Sequence, residues 1–115
     1  MSVFRTEPKL VDHAEIDTCV QRLLALVQPD RVLLIGSYAY GDPTAESDID
    51  LLVIMSYDGE RFDAEQQLAA SLASSFPIQI LLRTPQEIAA RLAAGDMVMR
   101  LWLTQGRVLY EAGNP

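Results

Sequence analysis

Cysteine is almost missing from this 115-residue chain: Cys19 stands alone, so no intrachain disulfide can form. No apolar run reaches the roughly 18 residues that cross a bilayer as a helix. The N-terminal stretch MSVFRTEPKL lacks the basic and then apolar pattern of a secretory signal. A cytoplasmic protein without membrane contact is the expectation. Basic residues are also scarce, nine Lys and Arg against sixteen Asp and Glu, for a net charge of −7. That balance opposes non-specific nucleic-acid binding, which depends on clustered Lys and Arg. Internal repeats, low-complexity tracts and linker-like segments are absent, so one domain over residues 1–115 is expected. Half of the residues are hydrophobic, enough for one core at this length.

The hydrophobic pattern sets the order of elements. Residues 12–28 place Ile16, Val20, Leu23, Leu24 and Val27 at helical spacing, with Pro29 and Asp30 as the stop. Residues 31–35 read as a short buried strand. Residues 36–47 read as a loop with room for one helical turn. Residues 49–55 are apolar on both faces, as in a central strand. A helix over 58–75 and a strand over 77–83 follow. Thr84-Pro85-Gln86-Glu87 is a capping box with Pro at the first helical position, opening a helix to about Ala94. Gly95 stops it, Asp96 caps another helix to about Gln105, and Gly106 turns into a strand over 107–111. The fold class is α/β, a small mixed sheet flanked by helices. Strands two and three are parallel through a helical crossover, and strands one and two are antiparallel across the loop.

That topology brings three points to one sheet edge. They are Gly36-Ser37 after strand one, Asp48 and Asp50 at the start of strand two, and Gln79 near the start of strand three. Alternate strand residues share a face, so Asp48 and Asp50 project together, roughly 6–7 Å apart along the backbone. Two such carboxylates repel unless a cation joins them, and a hard divalent ion such as Mg²⁺ suits oxygen ligands. A Gly-Ser turn opposite can bring backbone N–H groups close to an anion. A metal–nucleotide site answers both features. Taken singly, a D-x-D or a Gly-Ser pair is more often a cap or turn; their convergence carries the reading.

Gly36-Ser37, ten residues, then Asp48-Ile49-Asp50 resembles the signature of the polymerase-beta-like nucleotidyltransferases, and the layout is similar to their minimal branch. The resemblance runs from about Val32 to Tyr110 and includes RTPQEI and GRVLYE. It implies that Asp48 and Asp50 bind paired Mg²⁺ or Mn²⁺ ions and that Gly36 and Ser37 hold the terminal phosphates of ATP. It also implies transfer of AMP to a hydroxyl. The expected partner is a HEPN-domain toxin, modified on tyrosine, with this chain as antitoxin. Two departures oppose efficient catalysis. The family's third carboxylate is Gln79 here, at most a weak metal ligand and no proton acceptor. No Lys or Arg lies between Gly36 and Glu60, and Tyr38 and Tyr40 follow the Gly-Ser pair where Arg is frequent. Asp42 or Glu46 could supply the missing acid, or stand solvated in the loop. A degenerate binder that neutralises its partner without chemistry is therefore the alternative.

Asp96–Gln105, DMVMRLWLTQ, carries Met97, Val98, Met99, Leu101, Trp102 and Leu103 around most of a helix. Such a helix is buried on both sides or offers an apolar face to a partner or a second copy of the chain. His13 is expected at the surface, away from the site, and Cys19 in the core.

Overall fold

The structure, a computed structural model, describes residues 10–113. Helix α1 (His13–Leu26) opens on a capping box: the Asp12 carboxylate accepts the Glu15 N–H at 2.9 Å, and the Glu15 side chain accepts the Asp12 N–H at 3.4 Å. Its stripe of Ile16, Cys19, Val20 and Leu23 is buried. Strands β1 (Arg31–Ile35), β2 (Ile49–Ile54), β3 (Ile78–Arg83) and β4 (Arg107–Glu111) form one sheet in the order β3-β2-β1-β4. As the sequence implied, β1–β2 is antiparallel and β2–β3 is parallel, with helix α3 (Arg61–Leu72) as the crossover. The last strand, β4, lies antiparallel on the free edge of β1.

Period-two alternation divides the sheet between two apolar layers. Val32, Leu34, Leu51, Val53, Ile80 and Leu82 pack with the buried residues of α1 and with Leu72 of α3. Leu33, Ile35, Leu52 and Ile54 pack the other way, with Ile88 of helix α4 (Pro85–Ala93) and Met99 of helix α5 (Met97–Gln105). Both central strands are covered on both faces along Val32–Ile35 and Leu51–Ile54, which is why those stretches are unbroken apolar runs.

Helix α3 is shorter than the 58–75 span that its composition suggests. Gly59 turns at φ 77° and the Glu60 side chain accepts the Asp63 N–H at 2.9 Å, so the helix starts at Arg61. Ala73 enters the left-handed region at φ 49° and stops it. Glu65, on the inner side of α3, accepts the Leu82 N–H at 2.8 Å and the Arg83 guanidinium at 3.2 Å. Thr84 and Glu87 form the expected box on α4. Asp96 accepts the Met99 N–H at 3.0 Å and caps α5.

Helix α5 resolves the ambiguity of its sequence in a mixed way. Met99 is buried and Trp102 and Leu103 lean on the core, whereas Met97, Val98 and Leu101 are 76%, 55% and 43% exposed. The apolar face open to solvent is thus centred on Met97, Val98 and Leu101, with Trp102 at its inner border, a correction to a face centred on Trp102. At the end of α5, a Cβ on Gly106 would overlap the Trp102 carbonyl and crowd the Leu34 carbonyl and Ile35. His13 is exposed and bonded to Arg107, with Nδ1 at 2.7 Å from Nη2, and Cys19 is buried. No helix among the described residues is long and apolar enough to cross a membrane.

Candidate functional site

The register places the site. In β2, Asp50 is the direct neighbour of Ile35 in β1 and of Gln79 in β3. Gly36 follows Ile35, so its backbone lies against the Asp50 side chain. A Cβ at Gly36 would overlap Asp50 Oδ2, and Gly36 also sits at φ 77°, where L side chains are strained. The positive φ selects glycine here, and any side chain would in addition have to displace the Asp50 carboxylate.

Past Gly36 the chain forms the single helical turn that the loop had room for, α2 (Ser37–Tyr40). The Gly36 carbonyl accepts the Ala39 and Tyr40 N–H groups at 2.9 and 3.0 Å, and no side chain caps the start of the turn. The start of a helical turn leaves N–H groups without intrahelical partners, as an anion cradle requires. Gly41, at φ 104°, lets the loop fold back. Thr44 and Ser47 close the return, the Thr44 N–H donating to Ser47 Oγ at 2.9 Å. The Tyr38 hydroxyl accepts the Val11 N–H at 3.1 Å and ties the turn to the segment before α1.

Asp48 is exposed just before β2, and Asp50 is half-buried within it. Burial, and then the charge of Asp48, push the Asp50 carboxyl up from 3.8 to about 6. Asp50 Oδ1 is buried and has no hydrogen-bond partner among the described residues. A buried carboxylate oxygen without donor or cation is costly, and few native groups are left so. Gln79 shares the sheet face of Asp50, while Ile78 and Ile80 pack into the opposite layer. Its side chain is exposed. Asp42 and Glu46 are exposed in the loop. Among the described residues no three His, Cys, Asp or Glu side chains gather into a metal-binding group, so neither joins Asp48 and Asp50 in a three-acid cluster. The site thus brings together Gly36, Ser37, Asp48, Asp50 and Gln79. The contact of Gly36 with Asp50 was not foreseen; its signal was a glycine opposite an aspartate at the end of an antiparallel pair.

The chain thus sets a Gly-Ser turn across from a D-x-D strand start on a four-stranded mixed sheet with helices on both faces, the layout that the sequence resemblance implies. The sequence agrees: residues 16–91 match the nucleotidyltransferase domain family, and the chain belongs to that family. It is 35% identical over 80 residues to a Methanocaldococcus jannaschii protein designated "Putative protein adenylyltransferase MJ0604", across 70% of this chain and 77% of that one. A crystal structure of a nucleotidyltransferase from Sulfolobus solfataricus, itself designated putative, superposes with a TM-score of 0.60 at 15% identity, covering 86% of this chain and 79% of that one. A toxin–antitoxin structure determined with AMP-PNP superposes at 0.53 and 24% identity, covering 84% and 74%. At those identities the two structures share the fold.

Proposed function

We infer that this chain is a metal-dependent adenylyltransferase that moves AMP from ATP to a protein hydroxyl. The acceptor in this reading is a tyrosine of a HEPN-domain toxin, for which the chain serves as antitoxin. The observation that carries the reading is Asp50: a half-buried carboxylate with an unpartnered oxygen, pressed against a backbone that has no room for a side chain. That donor set fits a hard divalent cation shared with Asp48. Mg²⁺ or Mn²⁺ held there would neutralise charge on the entering and departing oxygens. Gly36 would let the triphosphate approach the strand end, and Ser37 with the first N–H groups of α2 would hold its terminal phosphates. The acceptor oxygen bonds to the α-phosphorus, the bond to the bridging oxygen breaks, and pyrophosphate leaves. The hydroxyl proton cannot go to the Gln79 amide, so water or a base on the partner receives it. The adenylyltransferase designation of the archaeal relative supports the reaction class, and the toxin–antitoxin complex sharing the fold supports the kind of partner.

Gln79 beside Asp50 favours one rival, a catalytically degenerate nucleotide binder that silences its partner by contact alone. Single-turnover transfer of label from ATP to the co-purified partner at saturating Mg²⁺ separates the two. The native chain should transfer slowly, Asp48→Asn not at all, and Gln79→Asp at least about tenfold faster, about 1.4 kcal/mol of barrier. Nucleotide binding without transfer in either the native chain or Gln79→Asp selects the binder. A native rate equal to that of Gln79→Asp would show that a carboxylate at position 79 is dispensable.

A further inference from the structure

At the opposite end of the same sheet face lies a feature the transferase reading does not use. Arg83, the last residue of β3, pairs with Ile54, four positions along β2 from Asp50, roughly 13 Å by strand rise. Around it α3, α4 and α5 enclose a cleft of about 530 Å³ whose wall includes Arg61, Arg83, Arg91, Glu87, Asp96 and Trp102. Three of the chain's nine Lys and Arg residues therefore face one cleft in a molecule of net charge −7.

The two acids of the cleft are already engaged. Glu87 accepts the Thr84 N–H at 2.7 Å and the Tyr57 hydroxyl at 3.2 Å, and Asp96 caps α5. Arg61 lies 3.6 Å from Glu87, and Arg91 Nε donates to Asp96 Oδ2 at 2.9 Å; both arginines are about half exposed, so solvent screens these pairs and each contributes little. Arg83 lies 5.6 Å from the centroid of the Trp102 ring. Its bonds to Glu65 and to the Leu82 carbonyl both leave from Nη1, while the residue also lines the cleft. Val98 and Met99 line the cleft as well, which makes it continuous with the exposed Met97, Val98 and Leu101 face of α5. A free small anion would satisfy the arginines and leave that apolar face uncovered. A polypeptide carrying carboxylates beside apolar side chains satisfies both.

We propose that this cleft and the adjoining face of α5 are the docking surface for an acidic segment of a partner protein, which seats an apolar side chain against Trp102 and its carboxylates on Arg61, Arg83 and Arg91. The proposal rests on the reading that the chain works on a protein partner. It places that partner on the same sheet face as Asp50, so a docked partner is held toward the transfer site without occupying it.

Trp102 is the sole tryptophan, so its emission reports the cleft directly. The probe is a synthetic amphipathic helical peptide of Leu and Glu, titrated into the native chain without nucleotide or metal. The same peptide with Gln for Glu, a Leu–Lys peptide and inorganic phosphate serve as comparators. The acidic peptide should shift Trp102 emission with a salt-sensitive affinity at least about tenfold above that of the Gln peptide, and the Lys peptide should not bind. The double variant Arg61→Glu/Arg91→Glu, folded by circular dichroism, should lose the response, and Val98→Glu should weaken it. Arg83 is left in place because it partners the buried Glu65. Equal responses to acidic and Gln peptides would overturn the proposal. So would a response to phosphate matching the acidic peptide, which would make this a small-anion site. A concentration-dependent shift of the native chain alone, with dimers in light scattering, would assign the face to a second copy and also overturn it. Mg²⁺–ATP calorimetry on the same samples reads the Asp50 site separately: intact nucleotide binding with no peptide docking sinks this inference alone, and the converse sinks the transferase reading alone.

Discussion

Replacing Asp50 by Asn removes the feature on which the site turns while keeping its shape. In the folded chain the carboxyl titrates near 6 rather than 3.8, first because burial disfavours its charge and second because Asp48 repels it. The folded state therefore holds the proton more tightly than the unfolded one. The stabilisation from that proton is fully present below about 3.8, is lost as pH rises through about 6, and is absent at pH 8. The whole displacement corresponds to about 3 kcal/mol. Because Asp50 is only half-buried, solvent screening reduces this to about 1–2 kcal/mol. Asp50→Asn should accordingly raise the melting temperature by several degrees at pH 8 in the presence of a chelator, on the order of 4–8 °C per kcal/mol. The advantage should vanish at pH 4, where the native carboxyl is protonated. Adding Mg²⁺ and ATP should stabilise the native chain by mass action and leave the variant unmoved. The assay is thermal unfolding followed by circular dichroism at both pH values, with and without ligand. A variant that melts at or below the native chain at pH 8, or keeps its advantage at pH 4, would refute the idea that the site stores an uncompensated charge. A ligand-induced rise equal to the native one would remove Asp50 from the metal site.

Gly36→Ala should lower Mg²⁺–ATP affinity by at least about tenfold in calorimetry, since φ 77° with ψ −162° is a backbone region essentially reserved for glycine, strained by about 1–3 kcal/mol for alanine, and the new Cβ would push on the Asp50 carboxylate; unchanged affinity would separate the turn from the ligand. Glu65→Ala should destabilise the fold by about 3 kcal/mol in urea unfolding, because it strands the Leu82 N–H and the Arg83 guanidinium away from water; a loss below about 1 kcal/mol would show that water replaces the carboxylate.

The inner strands were readable because burial on both faces writes itself as apolar runs, and residues 31–35 match β1 to the residue; the exposed edge strand β4 was found at 107–111 because Gly106 ends the preceding helix just before it. The neighbourhood of Asp50 and Gln79 followed from the parallel crossover alone. The ends of α3 did not, because Ala73 is a strong helix former that nonetheless turns into the left-handed region at φ 49°, and its composition gives no warning. The span for α1 overran by two residues for a similar reason: Val27 continues the apolar stripe while its backbone is already extended. The buried Glu65–Arg83 pair and the arginine cleft escaped notice because each joins residues from separate elements, and local periodicity carries no record of such meetings.

The position of β4 has a consequence in time. β1 lies between β2 and β4, so the strand that delivers Gly36 gains its second neighbour only when the last strand arrives. On a ribosome, β2 and β3 can pair early, but β1 keeps an open apolar edge until the chain is made through Glu111. Pairing the first strand with the last is also the most non-local closure in the sheet, and such closures are slow because loop entropy must be overcome before any contact forms. The strand end that carries Gly36 therefore stays paired on one side only until β4 has been made, and until then its open edge is a place where another unpaired strand can add.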